Sequence, residues 1–395
     1  MRTTEAFAGL RPLSGGERIP PDSNSALDSI QIGLTPVYDE DALATAHERL
    51  FDADGGTERD HGGAAAGLAR FGSVLPFKPE VLVSLGEGAT PLVSAPNLSD
   101  SWGLDVLIKD EGRNPTGGIY DREMAVAVTA AREHEAATVS LPTTGNGGQS
   151  AAAYAARAGI DSHAFVPSRS SFDTKAMTNV HGGEMTVVGG RYPDAFEAFE
   201  QDATGHSLAP FETPYRHEGV KTLAYELVSA SPDAVVLPVS HGHWIVGIYR
   251  GFAELVSTGV LDSLPRLYAV QPEGCAPIVE AFETGRELTP IEHPDTICGS
   301  LEVPAPAGGD HAVTAITETD GGAVAVSDHA LLDAALATTQ AGIPLSATGG
   351  TAIAGGETLA ESGAFDGDER VVIVDPATAN RETDLLRSRL MAKGV

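Results

Sequence analysis

From about residue 80 onward the chain alternates short apolar runs with helix-like segments, and this alternation leaves few architectures open. Runs rich in Val, Ile, Leu and Ala stand at 106–108, 138–141, 163–166, 184–188, 234–238, 266–270 and 370–374. Segments with helical spacing lie among them at 121–133, 150–158, 195–202, 222–229, 247–257, 328–341 and 350–362. Strands this short, joined by helical crossovers, predict an α/β protein whose parallel sheet is covered on both faces. Ligands of such sheets sit beyond the carboxyl ends of the strands. A chain of 395 residues holds two such cores or two closely packed halves.

The region before residue 80 is different. Residues 1–35 are rich in Pro, Gly and Ser and read as irregular structure. Residues 39–51 have helical spacing after an acidic cap, and 52–66 read as a flexible loop rich in Gly and Asp.

Charge narrows the setting. Fifty-five acidic residues face 25 basic ones, for a net charge of −30, and only five of the basic residues are lysines. Carboxylates are spread along the whole chain, as expected of a protein working in molar salt, where repulsion is screened within about 3 Å. An ordinary acidic enzyme is the plainer alternative. No basic stripe is present to meet phosphates, so nucleic acid is not an expected partner. No apolar run approaches the ~20 residues of a membrane span, and the N-terminus lacks a signal pattern. Cys275 and Cys298 permit one disulfide but imply none. These features predict a cytoplasmic location, in a high-salt cytosol.

The stretch Lys109-Asp110-Glu111-Gly112-Arg113-Asn114-Pro115-Thr116-Gly117-Gly118-Ile119-Tyr120-Asp121-Arg122 resembles the cofactor-anchoring segment of threonine synthases. These belong to the tryptophan-synthase-β-like class of pyridoxal-phosphate (PLP) enzymes. Three further segments resemble the family in its own order: Leu85 to Leu92, His217 to Thr222 and Val270 to Ile278. The resemblance implies two intimately associated parallel-sheet domains flanked by helices. It implies an N-terminal extension over 1–80 and a core over 81–395, with a smaller subdomain of about 115–205 inserted in the larger. It also implies PLP as cofactor and a homodimer.

The same resemblance places Tyr120 where the family's Schiff-base lysine stands. A phenol cannot form an imine, so covalent PLP binding is expected to be lost. Tyr120 then reads as a packing residue that plugs the vacated space. Lys109, Lys175 and Lys221 each match family lysines that coexist with the anchor, so none is an obvious substitute.

The turn Thr143, Thr144, Gly145, Asn146, Gly147, Gly148 and Gln149 resembles the family's substrate-carboxylate turn. Its glycines let backbone N–H groups approach an anion, and a helix N-terminus follows. A plain turn that needs glycine for backbone reasons is the competing reading. By the resemblance, Asn146 would bond the cofactor's phenolic oxygen. Gly242 survives from the phosphate-binding glycines, but Ser240, His241, His243 and Trp244 surround it in place of the family's smaller residues. His241 and His243 could hold an anion, while a metal lacks further ligands. Pro376 stands where the ring-nitrogen partner is expected, with Thr378 and Asp375 as alternatives. Ser346 stands at a family glutamate. Pro12 and Gly15 occupy cysteine positions of a zinc ribbon found in many relatives, so no zinc is expected.

Three functions stay open on this basis. One is a non-catalytic relative that binds an amino acid or small anion. Another is an enzyme of altered chemistry, with Tyr120 as acid or base assisted by His241 and His243. The third is a PLP enzyme with a non-covalent cofactor or a relocated lysine.

Overall fold

A computed structural model describes residues 1–12, 16–21, 33–51 and 67–394. The flexible-loop expectation at 52–66 and Gly15 of the zinc-ribbon comparison lie outside these residues.

In chain order the strands are β1 (Phe7–Pro12), β2 (Leu34–Tyr38), β3 (Leu92–Ser94), β4 (Asp105–Asp110), β5 (Thr138–Pro142), β6 (Asp161–Pro167), β7 (Glu184–Val188), β8 (His206–Ser207), β9 (Ala234–Pro238), β10 (Arg266–Pro272), β11 (Gly322–Val326) and β12 (Arg370–Asp375). The chain divides into two compact units.

The first unit comprises Met1–Ala89, Tyr120–Ser229 and Gly247–Leu264. Its main sheet has the order β7-β6-β5-β8, with every neighbouring pair parallel. The helix Tyr120–Glu133 is alanine-rich, and Met124 through Ala131 are fully buried. It packs against helices Asn146–Ala158 and Arg216–Leu227. The approach to the second of these is close: a β-carbon added at Gly219 would stand 1.9 Å from the Arg122 carbonyl oxygen. Buried charge on this contact is paired. Arg122 meets Glu226 through two hydrogen bonds of 2.8 and 2.9 Å, and both side chains are almost fully enclosed.

The N-terminal residues correct the expectation of irregular structure. β1 and β2 form an antiparallel pair, with Phe7 and Leu10 buried. The signal is weak in sequence because Gly9 and Pro12 have poor strand preference. Gly9 takes φ +135° beside a register shift, where a β-carbon would lie 2.2 Å from the Ile19 carbonyl oxygen.

The second unit comprises Thr90–Ile119, Ala230–Val246 and Pro265–Val395. Its six-stranded sheet has the order β11-β10-β9-β12-β4-β3. All neighbours are parallel except β3, which runs antiparallel to β4 at the edge. Helix Ala347–Glu361 lies on this sheet so closely that a β-carbon at Gly355 would come within 2.3 Å of the Val270 side chain. β7 and β9 occupy the spans their Val-rich runs predict. The helices Asn146–Ala158, Arg216–Leu227 and His243–Ser257 begin four to six residues earlier than periodicity alone suggests. Among the described residues no helix is long and apolar enough to cross a membrane.

Candidate functional site

The residues singled out in the sequence fall into two groups, one in each unit. In the first unit β5 delivers the chain into Thr143, whose backbone N–H donates to the Phe165 carbonyl at 2.9 Å. Gly145 turns the chain with φ +133°, and its N–H donates to Thr143 Oγ1 at 3.1 Å. The helix begins at Asn146, so Asn146, Gly147, Gly148 and Gln149 form its first turn. Gly147 and Gly148 let neighbouring side chains pack closely. A β-carbon at Gly147 would stand 3.1 Å from Thr143 Oγ1 and 3.3 Å from Tyr120 Cε1. One at Gly148 would stand 3.0 Å from Thr143 Cγ2 and 3.2 Å from the Ala164 β-carbon. Thr143, Asn146 and Gln149 are buried, and Thr144 is partly exposed.

Tyr120 is the first residue of helix Tyr120–Glu133 and keeps partial exposure. Asp121 beside it is buried and accepts from the Ser150 hydroxyl at 2.6 Å, which ties the two helix starts together. Sequence reasoning did not single out Arg216. Its guanidinium carbon lies 5.8 Å from the centroid of the Tyr120 ring. It is held there by Glu123 and by the Leu208 carbonyl, the latter at 2.8 Å. Nothing short of the fold links residues 120 and 216, so no local motif could have marked it. Tyr192 also stands near Arg216 and Tyr120, and burial pushes its phenol well above the ordinary range.

None of the five lysines lies in this turn. Lys109 donates to the Thr90 carbonyl at 2.6 Å, and Lys175 to the Ser168 carbonyl at 2.7 Å. Lys221 pairs with Glu218 at 2.7 Å and with Glu254 at 3.1 Å. Lys393 pairs with Asp333 at 2.6 Å, and Lys78 is exposed.

In the second unit β9 leads into Ser240, His241, Gly242, His243 and Trp244, which are all buried. His243 and Trp244 lie in the first turn of helix His243–Ser257. Gly242 has φ +89°, and a β-carbon there would stand 2.7 Å from the Gly308 carbonyl oxygen. The His241 and His243 ring centroids are 6.0 Å apart, and His243 meets Trp244 edge-on at 5.3 Å. Among the described residues no cluster of three or more His, Cys, Asp or Glu is placed to hold a metal. Both cysteines are buried and neither is in a disulfide, and burial pushes the Cys298 thiol up to about 12.

The end of β12 brings together two residues that the sequence treated separately. Ser346 donates to Asp375 Oδ1 at 2.9 Å, and the same hydroxyl accepts from the Gly349 N–H at 2.8 Å as helix cap. Burial lifts the Asp375 carboxyl well above the carboxylate range, with Asp110 adding repulsion. Asp110 is its register partner on β4. The Pro376 carbonyl accepts from the Ile119 N–H at 2.9 Å, so this turn is fixed by backbone bonding. Thr378 is held in the same way, its N–H donating to the Gly117 carbonyl at 3.0 Å.

The chain resembles known proteins over most of its length. A family model described as "Pyridoxal-phosphate dependent enzyme" matches residues 83–376. The threonine synthase of Methanocaldococcus jannaschii is 34% identical over 329 residues, which is 80% of this chain and 81% of that protein. The threonine synthase of Mycobacterium tuberculosis is 37% identical over 259 residues, covering 64% and 70%. Among solved structures, maize serine racemase superposes with a TM-score of 0.65 at 18% identity, covering 77% of this chain and 92% of that one. A threonine deaminase from Solanum lycopersicum gives 0.65 at 21%, covering 78% and 88%. The expected α/β fold is therefore the one found, and the chain belongs to the pyridoxal-phosphate dependent enzyme family, with threonine synthases among its relatives.

Proposed function

We propose that this protein is a threonine synthase-like family member that has given up covalent PLP chemistry. In this reading it binds the carboxylate of an amino acid, or another small anion, at the first turn of helix Asn146–Ala158. Tyr120 carries the proposal. The family resemblance puts it at the Schiff-base position, and its ring lies close enough to Gly147 that even a β-carbon there would be crowded. A phenol has no amine to condense with an aldehyde. The lysines elsewhere are engaged in ion pairs and carbonyl contacts or lie at the surface.

Two further features support a change of chemistry. Ser240, His243 and Trp244 add buried side chains where the resemblance expects glycines or a small residue beside phosphate. Pro376 has no hydroxyl to offer a ring nitrogen. The residues present therefore do not fit PLP held in the family's way. The anion-binding part rests on backbone N–H groups at the start of helix Asn146–Ala158. A net charge of −30 supports a saline working medium.

A thermal-shift screen of amino acids and small carboxylates at matched KCl tests the binding half. The reading expects at least one carboxylate to stabilise the wild type and to lose that effect in Asn146→Ala. If no carboxylate shifts the wild type, or if every shift survives in Asn146→Ala, the site is not used this way.

A further inference from the structure

The first unit gathers three metal-binding side chains that the site described above does not use. His134 follows helix Tyr120–Glu133, and His206 opens β8, in register with Val139 of β5. Folding brings their rings to 5.4 Å between centroids, at 67°. Met1 completes the group, its sulfur 2.9 Å from His134 Nε2. The next residue fixes its place. Arg2 donates its backbone N–H and its guanidinium to Glu133 at 2.9 and 2.7 Å, and its carbonyl accepts from the Lys78 N–H at 3.1 Å. Tyr215, which is fully buried, packs on His134 with ring centroids 6.3 Å apart.

Hydrogen bonds serve these rings poorly. His206 Nε2 is buried and has no partner. His134 Nδ1 is likewise buried and unpartnered, so no neighbour fixes that ring's tautomer, and Nε2 can present a lone pair beside the sulfur. The thioether itself is only a weak acceptor. Buried nitrogens left in this state are costly, and two on adjacent rings call for a shared partner. A water molecule would be a poor one, because the sulfur offers it almost nothing. His47 also leaves Nε2 unpartnered, but the rings against it are those of Phe51 and Tyr225.

We propose that Met1, His134 and His206 bind one soft monovalent metal ion, Cu(I), through the thioether sulfur and one nitrogen of each imidazole. The donors choose the ion. A thioether and neutral imidazoles suit Cu(I). Zinc takes four ligands, among them thiolates or carboxylates, and magnesium and calcium take oxygen. Among the described residues no group of three or more His, Cys, Asp or Glu is placed to meet those demands, and Glu133 is engaged by Arg2. Rotation of the two rings can bring a nitrogen of each to about 2 Å from one ion. Met1 is partly exposed, and its unbranched side chain can draw back to admit the ion between sulfur and nitrogen. The bound ion would tie the first residue of the chain to the end of a helix and to β8.

The test is anaerobic titration of the full-length protein with Cu(I) held by the chelator ferrozine, in potassium sulfate so that chloride does not compete. X-ray absorption at the copper edge then reads the ligands. One ion per chain should pass from the chelator to the protein, with two nitrogen neighbours and one sulfur, and its binding should raise the thermal midpoint. His134→Gln and His206→Gln should each weaken binding at least about tenfold. Met1→Leu, made behind a leader that its protease removes, should do the same and delete the sulfur neighbour. The wild-type absorption spectrum decides the matter even where a variant fails to fold. No transfer from the chelator would overturn the proposal. So would a copper shell of sulfur without nitrogen, which would point to Cys275 or Cys298, or an affinity that none of the three substitutions alters.

Discussion

The Tyr120 ring lies against Gly147 at the start of the next helix, where a β-carbon would come within 3.3 Å of its Cε1 and 3.4 Å of its Cδ1. Side chain and glycine thus fit each other across two helix starts. Gly147→Val should therefore overpack the contact and destabilise the fold by about 1–3 kcal/mol. Tyr120→Ala should relieve part of that cost. Denaturant unfolding of both single variants and the double variant would show a coupling of at least ~0.5 kcal/mol. Strict additivity would mean that the two residues do not share the space.

The Arg122–Glu226 pair is almost fully enclosed. Glu226→Gln leaves the guanidinium buried without its counter-charge and should cost about 3–5 kcal/mol. Arg122→Met combined with Glu226→Leu should recover much of this, because it removes both desolvated charges together. Urea unfolding of the three variants is the check.

Acid should destabilise the protein before the carboxylates titrate. Burial holds His47, His134 and His206 down to about 4. The unfolded chain binds these protons near pH 6.5 and the folded chain only near 4. The stability they contribute is complete above about pH 6.5 and falls as pH drops toward 4, by up to ~1.4 kcal/mol per group per pH unit. Unfolding free energies measured from pH 7.5 to 4 should show this slope, and His206→Gln should make it shallower.

Asp375 acts in the opposite sense. Its folded pKa is raised, so its neutral form favours the fold at low pH and that contribution is lost as pH rises through the folded value. Asp375→Asn keeps an oxygen to accept from Ser346 and has no charge to bury. It should match or exceed wild-type stability at pH 8, with a flatter profile on the alkaline side. A large loss of stability at pH 8 would show that the ionised carboxylate is needed.

Much of the architecture was legible because short apolar runs bounded by Gly, Pro and Asp mark strands both in the buried middle of a sheet, as β9, and at its partly exposed edge, as β7. β7 and β9 begin and end where those runs do. The β1–β2 pair was not legible. Its register depends on partners 22 to 31 residues apart, and Gly9 and Pro12 weaken the local signal. The helix start at Asn146 was hidden for a related reason. Gly147 and Gly148 are poor helix formers in isolation, and only the packing of Thr143, Ala164 and Tyr120 shows that a side chain there would be crowded. The candidate turn residues could be found from their order along the chain. Arg216 beside Tyr120 and Ser346 beside Asp375 could not, because each pair meets only after folding.

The central claim is that no lysine of this chain carries PLP. The direct test is titration of the purified protein with PLP in molar KCl, followed by borohydride reduction and peptide mapping, with Tyr120→Lys treated in parallel. The account predicts no aldimine absorbance and no pyridoxyl-lysine in the wild type. A reduced pyridoxyl adduct mapped to any of its five lysines would contradict it.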